Sequence, residues 1–206
     1  MTHSMDSHSP RGQLPADEDR SPLREIVFCG LGGQGVVTAA QVLARATSLY
    51  QAQYSQSIPA FTAERRGAPV HAYIRLSPDP ILAHSFIYDP DCVVVFSWAA
   101  APWHELREAG RMPAICLANL RTGQRDLFLG LGVSGGYLDA DALTQEVLGS
   151  ESPPNMAMLG AFAAVTGWVT LKAIAEAILA SWPSAIGERN ALIAERAYAT
   201  VCRVGN

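Results

Sequence analysis

Gly30-Leu31-Gly32-Gly33-Gln34-Gly35 sets three glycines at the spacing of a dinucleotide-binding turn, between an apolar run and an alanine-rich segment. Small residues at that spacing let backbone N–H groups and a helix N-terminus approach an anion. A second segment, Pro59-Ala60-Phe61-Thr62-Ala63-Glu64-Arg65-Arg66-Gly67-Ala68-Pro69-Val70, carries two adjacent guanidinium groups and a carboxylate between prolines. A planar guanidinium fork suits bidentate contact with carboxylate or phosphate, whereas a solvated turn is the default reading of a charge cluster. Cys29, Cys92, Cys116 and Cys202 each stand alone, with no C-x-x-C pair, so no metal or iron–sulfur site is expected within the chain. Three of them fall in apolar runs and read as small buried hydrophobes, which fits a reducing cytoplasm.

The elements that must position these segments follow from periodicity. Glu25-Ile26-Val27-Phe28-Cys29 reads as a buried first strand entering the glycine turn. Val36, Ala39, Ala40, Leu43 and Ala46 then recur at helical spacing. Strand, glycine turn and helix open a Rossmann-type unit. Residues 54–58 read as a second strand. Val70, Ala72, Ile74 and Leu76 alternate with His71, Tyr73, Arg75 and Ser77, a third strand on which His71 is a face residue rather than a ligand.

Asp89-Pro90-Asp91 forms a turn before the buried strand Cys92-Val93-Val94-Val95-Phe96, and Ala114-Ile115-Cys116-Leu117-Ala118 is another. A short helix over residues 103–109 separates these two. Pro153-Pro154 stops the chain and Asn155 reads as an N-cap for a helix over 156–165, with further helices over 170–180 and 190–204. The expected architecture is α/β and Rossmann-like: a mostly parallel sheet flanked by helices, with a helical C-terminal segment, over residues 23–206. Residues 1–22 are Ser/Pro/Asp-rich without a hydrophobic cluster and read as a disordered tail, with His3 and His8 solvated rather than metal-bound.

Several function classes are excluded or weakened. A net charge of −4 and a single lysine, Lys172, argue against nucleic-acid binding. The longest uncharged stretch near the C-terminus, residues 155–171, is too short and too interrupted to span a membrane. A nicotinamide enzyme wants an acid about 20 residues beyond the fingerprint to hold the ribose hydroxyls. No Asp or Glu stands between Glu25 and Glu64, which removes half of that reading. Three readings of the glycine loop stay open: another phosphate-bearing ligand, a partner chain, or a tight turn alone.

Taken together, four segments resemble one family. They are the GxGGQG loop with its helix, Glu64-Arg65-Arg66-Gly67-Ala68-Pro69-Val70, the Asp89-Pro90-Asp91 turn before a Val-rich strand, and Asn155-Met156-x-Met158-Leu159-Gly160. They are similar to the gamma subunit of 2-oxoacid:ferredoxin oxidoreductases, such as pyruvate:ferredoxin oxidoreductase, from about residue 24 to the C-terminus. The chain departs from the family pattern at Thr62, where relatives often have Gly, and at Leu31, where they often have Arg.

The resemblance implies a cytoplasmic, multi-subunit, thiamine diphosphate-dependent enzyme. It oxidatively decarboxylates a 2-oxoacid such as pyruvate to an acyl-CoA and passes electrons to ferredoxin. Thiamine diphosphate and iron–sulfur clusters are expected on alpha, beta and delta (or fused) subunits. None is expected here, and the chain is not catalytic alone. Gly30, Gly32, Gly33, Gln34, Gly35, Glu64, Arg65, Arg66 and Gly67 are the candidate cofactor or partner contacts, on the coenzyme A side of the complex; no catalytic and no metal residue is assigned. Two alternatives remain: the matching subunit of an indolepyruvate or other aryl 2-oxoacid enzyme, and an autonomous nucleotide-binding Rossmann protein.

Overall fold

A single seven-stranded sheet, in the order β2-β3-β1-β4-β5-β6-β7, organises the computed structural model, which describes residues 23–61, 67–121, 123–182 and 184–205. The first half of the chain runs β1 (Arg24–Leu31), α1 (Val36–Tyr50), β2 (Tyr54–Phe61), β3 (Pro69–Ser77), β4 (Cys92–Val95), α2 (Trp103–Glu108) and β5 (Ile115–Asn119). There follow α3 (Arg125–Leu129), β6 (Ser134–Leu138), α4 (Ala140–Leu148), α5 (Asn155–Thr166), α6 (Leu171–Ser181), α7 (Ser184–Thr200) and β7 (Cys202–Val204). The expected tail over residues 1–22 lies outside the described residues.

Strands β1, β4, β5 and β6 pair parallel; the unbroken apolar runs of β1, β4 and β5 suit strands covered on both faces. The crossover β1–α1–β2 skips one position, and β3 folds back antiparallel into that gap, pairing with β1 on one side and β2 on the other. β2 therefore points the same way as β1, β4, β5 and β6, and only β3 and β7 oppose them. This hairpin has a functional consequence: it carries Phe61 and Gly67, which flank the arginine segment in sequence, to the same end of the sheet as the glycine loop.

One face of the sheet is covered by α1, α5, α6 and α7, and the other by the short α2 and α3. Helix α5 is apolar all round and buried all round, with Met158, Leu159 and Phe162 fully enclosed, so it forms the centre of the larger core. The chain end departs from expectation. Residues 190–204 do not form one helix: α7 starts earlier and stops at Thr200, and Cys202–Val204 pair antiparallel with β6. The physical reason is the bare edge of β6, where Gly136 leaves room for the chain to return and cover unpaired backbone groups.

Cys29, Cys92 and Cys116 are buried and Cys202 is exposed. Burial pushes all three enclosed thiols well above their ordinary value of 9.0, desolvation being the largest cause in each. Two outcomes are expected. Iodoacetamide at pH 8 labels the native chain once, at Cys202, as read by intact mass, and four times in urea. The contribution of these thiols to stability is constant below the unfolded-chain thiol pKa and falls above it, because the unfolded chain then releases protons that the folded chain retains. The slope approaches about 1.4 kcal/mol per pH unit for each of the three thiols. Urea unfolding from pH 8 to 10 measures it; a flat profile would show that these thiols ionise in place.

Candidate functional site

The glycine loop lies where β1 ends and α1 begins, at the C-terminal edge of the parallel strands, where α/β sheets bind their ligands. Gly30 faces Phe96 and Val36, which a side chain at 30 would strike. Gly35 takes a left-handed conformation (φ 71°) as the residue before α1, and a Cβ there would sit 2.4 Å from Asn155 Nδ2. Glycine is required at 35 on both counts. No side chain caps α1, and its first helical bond runs from Ala39 N to the Gly35 carbonyl, which leaves the preceding N–H groups open at the loop.

Gln34 does not offer its amide to the cleft. Its Oε1 accepts from Leu31 N at 2.7 Å and its Nε2 donates to the Phe96 carbonyl at 3.2 Å, so the side chain staples its own loop to the end of β4. Gly32 faces the opposite way. Its N–H donates to the Ala68 carbonyl at 2.8 Å, and its carbonyl accepts from Gly67 N at 3.2 Å. The two segments singled out from sequence, some thirty-five residues apart, are thereby joined backbone to backbone. Glu64, Arg65 and Arg66 lie outside the described residues, whereas Gly67 is placed at the junction.

On the other side of the loop opens a cleft of about 790 Å³ lined by Gly33, Gln34, Arg121, Asp139, Asp141 and Pro154 among others. Its far wall is acidic. Asp139 caps α4 by accepting from Ala142 N at 2.9 Å, and Asp141 Oδ2 accepts from Asn119 Nδ2 at 2.9 Å. The loop thus stands between an acidic wall on one flank and the base of the arginine segment on the other. The available groups are backbone donors, carboxylates, one guanidinium, the Gln145 amide and the Ser152 hydroxyl, which suits binding of a polar ligand. Among the described residues no set of three or more His, Cys, Asp or Glu converges to hold a metal ion.

Sequence reasoning missed three contributors. Asn119 and Asp139 come from the ends of β5 and β6 and Asp141 from the first turn of α4, far from the loop in sequence, and only the helix-capping position of Asp139 left a local signal. Asn155 was expected as an N-cap; it is instead the first residue of α5, its Oδ1 accepts from Met156 N at 3.0 Å, and its side chain packs over Gly35. His71 is a strand-face residue, as its alternation indicates, with Nε2 3.4 Å from the Ala100 carbonyl. It borders a separate cavity of about 310 Å³ with Tyr73, Tyr88 and Leu106. Burial, with a smaller contribution from Tyr88, raises the Tyr73 phenol above its ordinary value.

Residues 25–200 match the sequence family described as pyruvate ferredoxin/flavodoxin oxidoreductase. The chain is 40% identical over 174 residues to the pyruvate synthase subunit PorC of Methanocaldococcus jannaschii, covering 84% of this chain and 94% of that one. It is 38% identical over 177 residues to the pyruvate/ketoisovalerate oxidoreductases common subunit gamma of Thermococcus kodakarensis, covering 84% and 95%. The crystal structure of the pyruvate oxidoreductase subunit PORC of Thermotoga maritima superposes with a TM-score of 0.75 at 28% identity, over 89% of this chain and 99% of that one. No helix among the described residues is long and apolar enough to cross a membrane. The chain therefore belongs to the pyruvate ferredoxin/flavodoxin oxidoreductase family, among its PorC or gamma subunits.

Proposed function

We propose that this chain is the gamma subunit of a thiamine diphosphate-dependent 2-oxoacid:ferredoxin oxidoreductase, and that its glycine-loop cleft borders the coenzyme A approach. The observation that carries this reading is the backbone junction of Gly32 with Gly67 and Ala68, which brings the open α1 N-terminus and the root of the arginine segment to one place. An uncapped helix end in a cleft that also holds the Arg121 side chain suits a phosphate-bearing ligand. Thiamine diphosphate and iron–sulfur clusters reside on companion alpha, beta and delta or fused chains, with ferredoxin as the acceptor, and residues 23–206 act as one domain of the assembly.

Affinity purification from the native host tests the first half. Companion chains are expected to co-purify, and the complex is expected to reduce a viologen with a 2-oxoacid and coenzyme A while the isolated chain is inert. Pyruvate, 2-oxoisovalerate and indolepyruvate, supplied in turn, identify the substrate. An isolated chain that decarboxylates a 2-oxoacid, or that binds NAD tightly in calorimetry, would overturn the reading. For the second half, Gly35→Val in the assembled enzyme sets a β-branched residue in left-handed backbone and pushes Asn155 off the loop. The KM for coenzyme A is expected to rise about tenfold or more, the equivalent of ~1.4 kcal/mol or more of binding.

A further inference from the structure

A chain of amide hydrogen bonds runs beneath the cleft, across the C-terminal ends of β1, β4 and β5 to the start of α4. Its hub is Asn119, the last residue of β5 and only 8% exposed. Asn119 Nδ2 donates to the Phe96 carbonyl at 3.2 Å and to Asp141 Oδ2 at 2.9 Å, and its Oδ1 accepts from Ala140 N at 2.9 Å. The Phe96 carbonyl also receives Gln34 Nε2, and Gln34 Oε1 holds Leu31 N. Both N–H bonds and the oxygen of Asn119 are occupied, and so are the amide nitrogen and oxygen of Gln34. A buried network satisfied in this way specifies one arrangement.

The two ends of this chain form opposite walls of the same cleft. At one end Gln34 shapes the glycine loop; at the other Asn119 fixes the Asp141 carboxylate and the N-terminus of α4. The Phe96 carbonyl, shared by both amides, is the point through which one wall sets the other. We infer that Asn119 is a positioning residue that fixes the width and donor geometry of the glycine-loop cleft through the Phe96 carbonyl and Gln34. Asn119 does not touch the ligand. The inference rests on the reading that this cleft takes coenzyme A.

Aspartate is the informative replacement at 119. It keeps the acceptor for Ala140 N, removes both donations, and sets a carboxylate against Asp141. In the assembled enzyme, Asn119→Asp is expected to raise the KM for coenzyme A about tenfold, with the KM for the 2-oxoacid and kcat at saturating coenzyme A within about twofold. Gln34→Glu breaks the same chain from its other end, since it retains the acceptor for Leu31 N but cannot donate to Phe96, and is expected to give the same split. It also serves where Asn119→Asp fails to assemble.

Amide exchange supplies a readout independent of any ligand: Leu31 N–H is expected to exchange at least tenfold faster in both variants, with the β2–β3 hairpin unchanged. Coenzyme A KM unmoved by the 34 and 119 variants but raised by Gly35→Val overturns the inference and leaves the functional reading standing. KM unmoved by all three overturns the functional reading and the inference with it. Equal losses in kcat and in both KM values, with exchange faster throughout the sheet, would reduce Asn119 to a folding residue and overturn the inference.

Discussion

Gly160→Val is expected to leave little folded chain, and Gly160→Ala to lower the melting temperature by roughly 6–12 °C, the equivalent of about 3 kcal/mol in a domain of this size. Helix propensity argues the opposite sign, since alanine in a helix interior is favoured over glycine by about 1 kcal/mol. The contact decides. A Cβ at 160 would lie 1.9 Å from the carbonyl oxygen of Ala194, on the backbone of α7. A flexible neighbour would turn aside, but a helix carbonyl cannot, so α5 and α7 must separate. Ala191, Ile193, Ala194 and Ala197 are buried along α7, and separation opens gaps beside each of them. Overpacking of this kind typically costs about 1–3 kcal/mol, and more where backbone rather than side chain must yield. The change also reaches the site, because α5 begins with Asn155 over Gly35. Thermal and urea unfolding of the alanine variant provide the check; a melting point equal to or above the parent's would mean that the helices do not cross this closely.

The elements that could be read from sequence are those whose local pattern and tertiary role agree. β1, β4 and β5 are short unbroken apolar runs, and each is a buried, parallel-paired strand. The alternation of residues 70–77 carries through to β3, with Val70, Ala72, Ile74 and Leu76 on the α1 side and His71, Tyr73 and Arg75 on the reverse. β6 was hidden because Ser134-Gly135-Gly136-Tyr137-Leu138 has little strand propensity; pairing with β5 on one side and β7 on the other makes it a strand. β7 was hidden for the converse reason, since Cys202-Arg203-Val204 continues the composition of a helix and changes state only because an open sheet edge is within reach.

The candidate site divides along the same line. Its glycine loop and the Gly67–Ala68 stretch that bonds to it each fall within a contiguous sequence motif. Its acidic wall is assembled from the ends of β5 and β6 and the start of α4, an arrangement fixed by strand order, which no local pattern encodes. The direct bonding of Gly32 to Gly67 and Ala68 follows from the inserted antiparallel β3, itself a topological fact. Gln34 illustrates the remaining gap: the motif marks it as a site residue, and the structure assigns its amide to Leu31 and Phe96.

Arg75→Ala is expected to cost about 3 kcal/mol, as breaking one partner of a buried charge pair does. Arg75 lies on the less covered face of the sheet, yet its side chain is only 3% exposed. Strand register explains the enclosure: Glu25 on β1 and Gln56 on β2 stand directly across from it on either side. Nε donates to Glu25 Oε1 at 2.7 Å, and Nη1 donates to Gln56 Oε1 at 3.1 Å and to the Ser85 carbonyl at 2.8 Å. Arg75 therefore ties three strands to the segment that leads from β3 to β4. That segment closes back on β1, where Asp91 Oδ2 accepts from Glu25 N at 2.8 Å. Alanine leaves a cavity, an unpaired carboxylate and an unsatisfied carbonyl together. Methionine fills the space and leaves only the polar losses, so Arg75→Met is expected to be the milder of the two. If the unpaired Glu25 charge is the main source of the loss, adding Glu25→Gln to Arg75→Met restores about 1 kcal/mol or more in a double-mutant cycle. Glu25 retains some exposure, 29% by side chain, and can recover part of its hydration once the guanidinium is gone. A double variant no more stable than Arg75→Met alone would move the cost from the ion pair to the bonds with Gln56 and Ser85, which hold the β3–β4 segment against the sheet.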